Sequence, residues 1–206
     1  MTDQLTFYTH PMSRGRIARW MMEEVGKPYE TVVLDYATTM KAPEYLAVNP
    51  MGKVPALKHG EVVVTEAAAI CAYLADVFPE LGLAPPLGDP RRGPYFRWMF
   101  FAAGPMEGAM AARALGASVA PEQKRMTGWG DQSDLLNGLE TAIRGKDYIL
   151  GDTFSAADVY FGSHIGWGMQ FGSIEKRPVF EAYNERLQNR PANIRAREID
   201  DKLGAG

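Results

Sequence analysis

The 206-residue chain has one cysteine, Cys71, so it can form no intramolecular disulfide, no CxxC redox pair and no thiolate-bound metal cluster. Its three histidines, His10, His59 and His164, stand far apart and follow no metal-ligand spacing, so no metal is expected. An excess of one charge is also missing. The net charge of −3 comes from 22 basic and 25 acidic side chains scattered along the chain, which leaves no footprint for nucleic acid. No run approaches the roughly 18 apolar residues that would cross a bilayer, so no membrane partner is expected. The opening MTDQLTFYTH carries an acid and no long apolar stretch, so no signal peptide is expected and a cytoplasmic location is the default. What is present, 46% hydrophobic and 23% charged residues, is the composition of an ordinary globular protein. Its length fits one large domain or two small ones.

Two patterns divide the chain. LTFY at 5–8 reads as a short strand, and ETVVLDY at 30–36, rich in β-branched residues, as a second. Between them, residues 13–25 carry Ile17, Trp20, Met21 and Val25 at helical spacing. Gly26 then supplies a left-handed C-terminus and Pro28 prevents continuation. KAPEYLAVNPMGK leaves room for one short helix at most. VPALKHG and VVVT read as two strands about a turn at His59–Gly60, and residues 66–77 as a helix with Ile70, Tyr73, Leu74 and Val77 on its apolar face. The order predicts a parallel pair extended by an antiparallel hairpin, an α/β domain over 1–80.

A proline- and glycine-rich linker at 81–92 leads into an all-helical domain over 93–206. Gly104–Pro105 is expected to kink or break its first helix, which spans 95–115. Leu135, Leu136, Leu139 and Ile143 line the next helix, and others occupy the stretch after Ser155 and 179–188. Pro191 is placed to open the last. FSAADV makes Ser155 an N-cap with Asp158 reaching back to it, and Phe154 and Val159 a hydrophobic staple, a folding signal rather than chemistry.

Four stretches carry a resemblance. NPMGKVPAL at 49–57, TEAAAICAYLAD at 65–76, THPMS at 9–13 and FSAADV at 154–159 are similar, in order and spacing, to the cytosolic glutathione transferases. The first-strand loop is most like the serine-type, phi- and theta-like classes. The resemblance implies a thioredoxin-like α/β N-terminal domain of order βαβ-α-ββα, an all-α C-terminal domain, glutathione as co-substrate and a homodimer. It implies a cis Pro55 that leaves the backbone of Val54 to pair with the cysteinyl part of glutathione. Glu66 and Ala67, at a helix head, would take the γ-glutamyl amine and carboxylate. The family usually has Ser or Thr where this chain has Ala67, which predicts weaker binding. Lys53 would meet the glycyl carboxylate, with Lys41 as a further candidate.

The thiol is the reacting group, and a free thiol near pKa 8.5 is only a few per cent ionised at neutral pH. A hydroxyl at a helix head gives the thiolate both a charge-assisted hydrogen bond and a dipole. Ser13 has that position; Tyr8 and Thr9 are the alternatives. Arg14 and Arg16 add positive potential, unless Arg16 lies on the exposed face. Met12, Trp98, Met99, Phe101, Met106 and Met110 are the candidates for an apolar electrophile pocket, with core packing as the alternative for each. The reaction expected is thiolate attack on a hydrophobic electrophile. A glutathione-dependent isomerase or dehalogenase, or a non-catalytic binding or stress-response relative, is the alternative. The isomerase-type SSCSWR loop is absent.

Overall fold

The computed structural model describes residues 4–205. Residues 1–3, at the head of the segment read as lacking a signal peptide, and residue 206 lie outside the described residues. The chain forms two compact units: residues up to Leu81 together with those from Arg190 onward, and Gly82–Asn189.

In the first unit, β1 (Leu5–Thr9), β2 (Tyr29–Val33), β3 (Ala56–His59) and β4 (Val62–Thr65) form one sheet of order β2-β1-β3-β4. β1 is parallel to β2 and antiparallel to β3, and β3 is antiparallel to β4. With α1 (Gly15–Val25), α2 (Pro43–Leu46) and α3 (Ala67–Val77) this is the thioredoxin-like βαβ-α-ββα order. β2 stops at Val33, short of the expected 36, because Asp35 turns the chain. Its Oδ1 accepts from the N–H groups of Ala37 and Thr38 and from the Thr38 hydroxyl. α1 buries Ile17, Trp20, Met21 and Val25, the stripe read from the sequence. It ends at Gly26, whose φ of 66° suits a residue without Cβ and lets its N–H reach the Met22 carbonyl at 2.9 Å.

The last helix, α9 (Pro191–Gly204), belongs to this first unit and not, as the sequence pattern predicts, to the helical half. Three ion pairs hold it on α1, Arg16–Asp201, Arg19–Asp200 and Glu23–Arg195, and a fourth, Glu24–Arg190, holds the residue just before it. Positions 16, 19 and 23 share a face of α1, and the partners of all four residues run in the reverse order, so the two helices are antiparallel. Arg19 and Asp200 are each 1% exposed. Arg19 also donates to the hydroxyls of Tyr29 at 3.0 Å and Thr31 at 2.8 Å and lies over the Phe7 ring.

The second unit is helical: α4 (Arg92–Phe101), α5 (Glu107–Ala114), α6 (Gln132–Ile143), α7 (Ala156–Gln170) and α8 (Pro178–Gln188). The helix expected to kink or break at Pro105 instead passes through one π-turn, Ala102–Met106, and continues as α5. The Glu107 N–H donates to the Ala102 carbonyl, five residues back, so the wider turn absorbs the proline that cannot donate. At the head of α7, Asp158 is fully buried and its carboxylate accepts from Ser155 N–H (2.9 Å), Ser155 hydroxyl (3.0 Å), Ile149 N–H (2.7 Å) and Tyr183 hydroxyl (2.7 Å). Ser155 and Asp158 form the reciprocal capping box read from the sequence, and the serine hydroxyl also donates to the carboxylate. Burial pushes this carboxyl up to about 6, with the four donors opposing.

Candidate active site

The strand register decides which loops meet. Tyr8 pairs with Ala56, and Ala56 with Thr65, so three neighbouring strands end in line. The turn after β1, the Val54–Pro55 step before β3 and the Glu66–Ala67 step after β4 therefore leave the sheet at the same end. The heads of α1 and α3 emerge there too, each with the positive end of its helix dipole. This is an anion-attracting edge built by backbone geometry.

The turn after β1 is tied at three successive carbonyls. His10 O accepts from the Ser13 hydroxyl at 2.7 Å, Pro11 O from Arg16 Nε at 2.5 Å, and Met12 O from the Tyr36 hydroxyl at 2.7 Å. His10 Nδ1 accepts from the Met12 N–H at 3.0 Å. Ser13 Oγ accepts from the Gly15 N–H at 2.9 Å, so the serine caps α1 while its proton is on the His10 carbonyl. Thr9 is fully buried and its Oγ1 has no hydrogen-bond partner among the described residues. Tyr8 is half-buried with its ring 5.5 Å from that of Tyr45, packed against Leu34, Met40 and Ala56.

Gly15 is where the helix head approaches β1 most closely. A Cβ there would overlap Thr9 Oγ1 and lie 2.9 Å from Ser13 Oγ. Gly15→Ala is therefore expected to lower stability by about 1–3 kcal/mol, the usual cost of overpacking a filled site. Thr9→Ala should recover part of that loss in the double variant, read as urea midpoints. Equal midpoints for wild type and Gly15→Ala would show that the turn relaxes freely.

The second loop is held by its neighbours. The Val54–Pro55 bond is cis, Pro55 is buried and Val54 is half-buried. Val54 lies outside the ladder, which begins at Ala56. Lys53 is exposed, and its carbonyl accepts from the Tyr45 hydroxyl at 2.6 Å and Asn49 Nδ2 at 2.7 Å. Lys41 Nζ donates to the Gly52 carbonyl at 2.7 Å, which brings both candidate lysines to this loop. Glu66 is exposed at the head of α3, and Ala67 behind it is buried. Glu66 has φ 67° and ψ 124°, a conformation that costs a non-glycine residue about 1–3 kcal/mol and concentrates at functional sites. Nothing in a glutamate's identity signals this, since left-handed φ is usually announced by Gly, Asn or Asp.

The structure does not gather every candidate into such a site. Trp98, Met99 and Met106 are buried within the helical unit, where Trp98 meets Phe161 edge-on at 5.7 Å, so these three are core. Phe101 and Met110 are half-buried and Met12 is 72% exposed. Cys71 is buried in α3, and burial pushes its thiol well up. The sequence reading missed Tyr36, Tyr45 and Asn49, which hold carbonyls of the two loops. Only Asn49, inside NPMGK, lay in a motif that could have drawn attention to it.

Residues 3–76 match the family model of the glutathione S-transferase N-terminal domain. Glutathione S-transferase GST-4.5 of Xanthomonas campestris is 31% identical over 168 residues, 78% of this chain and 81% of that protein. Glutathione S-transferase GstA of Escherichia coli is 27% identical over 89% of this chain and 90% of its own length. The solved glutathione transferase of Methylococcus capsulatus has a TM-score of 0.79 at 29% identity, covering 96% of this chain and 99% of that one. A sphingomonad glutathione S-transferase complexed with glutathione has a TM-score of 0.76 at 28% identity, covering 95% and 98%. The chain belongs to the glutathione S-transferase family.

Proposed function

We propose that the protein is a glutathione transferase that ionises the glutathione thiol and directs the thiolate at a hydrophobic electrophile. The observation that carries this is the register Tyr8–Ala56–Thr65, which sets the Ser13 turn, the Val54 step and the Glu66 step at one end of the sheet. The chemistry of glutathione matches that edge group by group. Its γ-glutamyl carboxylate meets the N–H groups at the head of α3, and its amine meets Glu66. The cysteinyl backbone pairs with Val54 beside Pro55, and the glycyl carboxylate meets Lys53, with Lys41 beside the same loop. The thiol reaches the head of α1. There the Ser13 proton turns from the His10 carbonyl to sulfur, while Ser13 Oγ keeps the Gly15 N–H. The thiol proton leaves to solvent, the thiolate forms a carbon–sulfur bond, and a leaving group departs with its electron pair or a strained ring opens. Met12, Phe101 and Met110 are the apolar candidates for the electrophile. Cytoplasmic location and a homodimer complete the reading, the latter supported by apolar surface at Met51 (67% exposed) and Phe100 (71% exposed).

Retention on immobilised glutathione with elution by free glutathione, followed by conjugate formation with an activated chloronitrobenzene, tests the proposal. Retention with turnover is expected. Ala67 favours a second reading, a binding protein without chemistry. It removes one hydroxyl donor, worth about 0.5–1.5 kcal/mol, from the carboxylate site. Retention without conjugates on a panel of electrophiles would favour that reading, and neither retention nor turnover would sink both.

A further inference from the structure

α9 runs antiparallel to α1, so its C-terminal end arrives beside the turn that carries Ser13. Three contacts mark the meeting. Arg16 Nε donates to the Pro11 carbonyl at 2.5 Å, and Arg16 Nη2 donates to Asp201 Oδ1 at 2.6 Å. Gly204, the last residue of α9, lies so close that a Cβ built on it would be 3.6 Å from Pro11 Cβ. Pro11 is buried, and Arg16 is the second residue of α1, with its own N–H on the Ser13 carbonyl at 3.2 Å. One guanidinium therefore grips the middle carbonyl of the His10–Met12 run, and α9 fixes the direction from which it does so. The neighbouring carbonyl, His10 O, is the acceptor of the Ser13 hydroxyl.

We propose that Arg16, aimed by Asp201, is a positioning residue for the thiol-activating turn, so that the C-terminal helix is part of the support of the site. This rests on the reading that the Ser13 turn meets the glutathione thiol. The role is geometric. A lysine supplies the same charge but not two donors in a rigid fork, so it cannot hold Pro11 O and Asp201 at once. Arg16 is about a quarter exposed and Asp201 mostly exposed, so the pair adds little to global stability. Its effect falls on the placement of a hydroxyl, where a shift of about 1 Å can cost up to about a hundredfold in rate.

The test compares the full-length wild type with Arg16→Lys, Asp201→Ala and Asp201→Asn. Three readouts are taken: the kcat and KM for glutathione with an activated chloronitrobenzene, the pH dependence of kcat/KM, and amide hydrogen exchange over residues 10–16 without ligand. Arg16→Lys is expected to lower kcat about tenfold, with KM for glutathione changed by less than about threefold. Its alkaline-going pH limb should move up by about one unit, and exchange over 10–16 should rise while that of the rest of α1 does not. Asp201→Ala should move every readout the same way by less, and Asp201→Asn, which keeps an acceptor oxygen, should recover most of that loss. Unchanged exchange and an unchanged pH limb in Arg16→Lys would overturn the proposal, as would exchange rising along all of α1. A wild type without turnover would instead sink the glutathione reading and the catalytic role of Arg16 with it. That outcome differs from an active wild type whose variants match it.

Discussion

Asp158→Ala is expected to lower the stability of the helical unit by about 4 kcal/mol, enough to unfold much of a marginally stable protein. The carboxylate is fully buried and accepts from Ile149 N–H, Ser155 N–H, the Ser155 hydroxyl and the Tyr183 hydroxyl. Alanine leaves the first two donors and the tyrosine without acceptors in a site closed to water. Each costs about 1–3 kcal/mol, and the serine hydroxyl can rotate away. Tyr183→Phe removes one donor and leaves the carboxylate with three, so its loss should be about 1–2 kcal/mol. Urea midpoints at constant slope read both values, and the ordering of the two is the point. Asp158 joins the loop at Ile149, the head of α7 and the flank of α8 through one carboxyl group. A loss for Asp158→Ala no larger than that for Tyr183→Phe would mean that other contacts organise this corner.

Ser13→Ala is expected to lower kcat/KM about a hundredfold near neutral pH, the effect of removing one donor from an anion in a prepared site. The same change frees the Gly15 N–H, so stability should fall by about 1 kcal/mol through loss of the cap. The two effects separate the two roles of one hydroxyl. If Ser13 only caps α1, the variant loses that stability while its pH profile stays where it was. If it also donates to sulfur, the pH limb for thiol ionisation moves up as well. Each unit of that movement is about 1.4 kcal/mol of thiolate stabilisation. Thr9, buried and with an Oγ1 that has no partner among the described residues, is the rival whose variant should then have the smaller effect.

The α/β half was legible because the period of its apolar residues switches from two to that of a helix and back, with Gly26 and Pro28 as punctuation. Ser155–Asp158 was legible for a similar reason, since a cap and its reciprocal acid lie within one turn. What stayed hidden depended on long-range placement. Arg16 meets Asp201 across 185 residues, and α9 looks in sequence like one more helix of the second half. The direction of the Ser13 proton and the left-handed φ of Glu66 are settled by neighbours that no local pattern names. Trp98, Met99 and Met106 illustrate a different limit. An apolar side chain suits a core and a ligand pocket equally, and only burial separates the two.

The most direct measurement is the thiolate absorbance of glutathione bound to the wild-type protein, followed as a function of pH. A bound thiol that ionises about two units below the free value near 8.5 is the expected result, leaving most of it as thiolate at neutral pH. Bound glutathione that titrates like the free tripeptide would contradict a thiol-activating edge at the heads of α1 and α3.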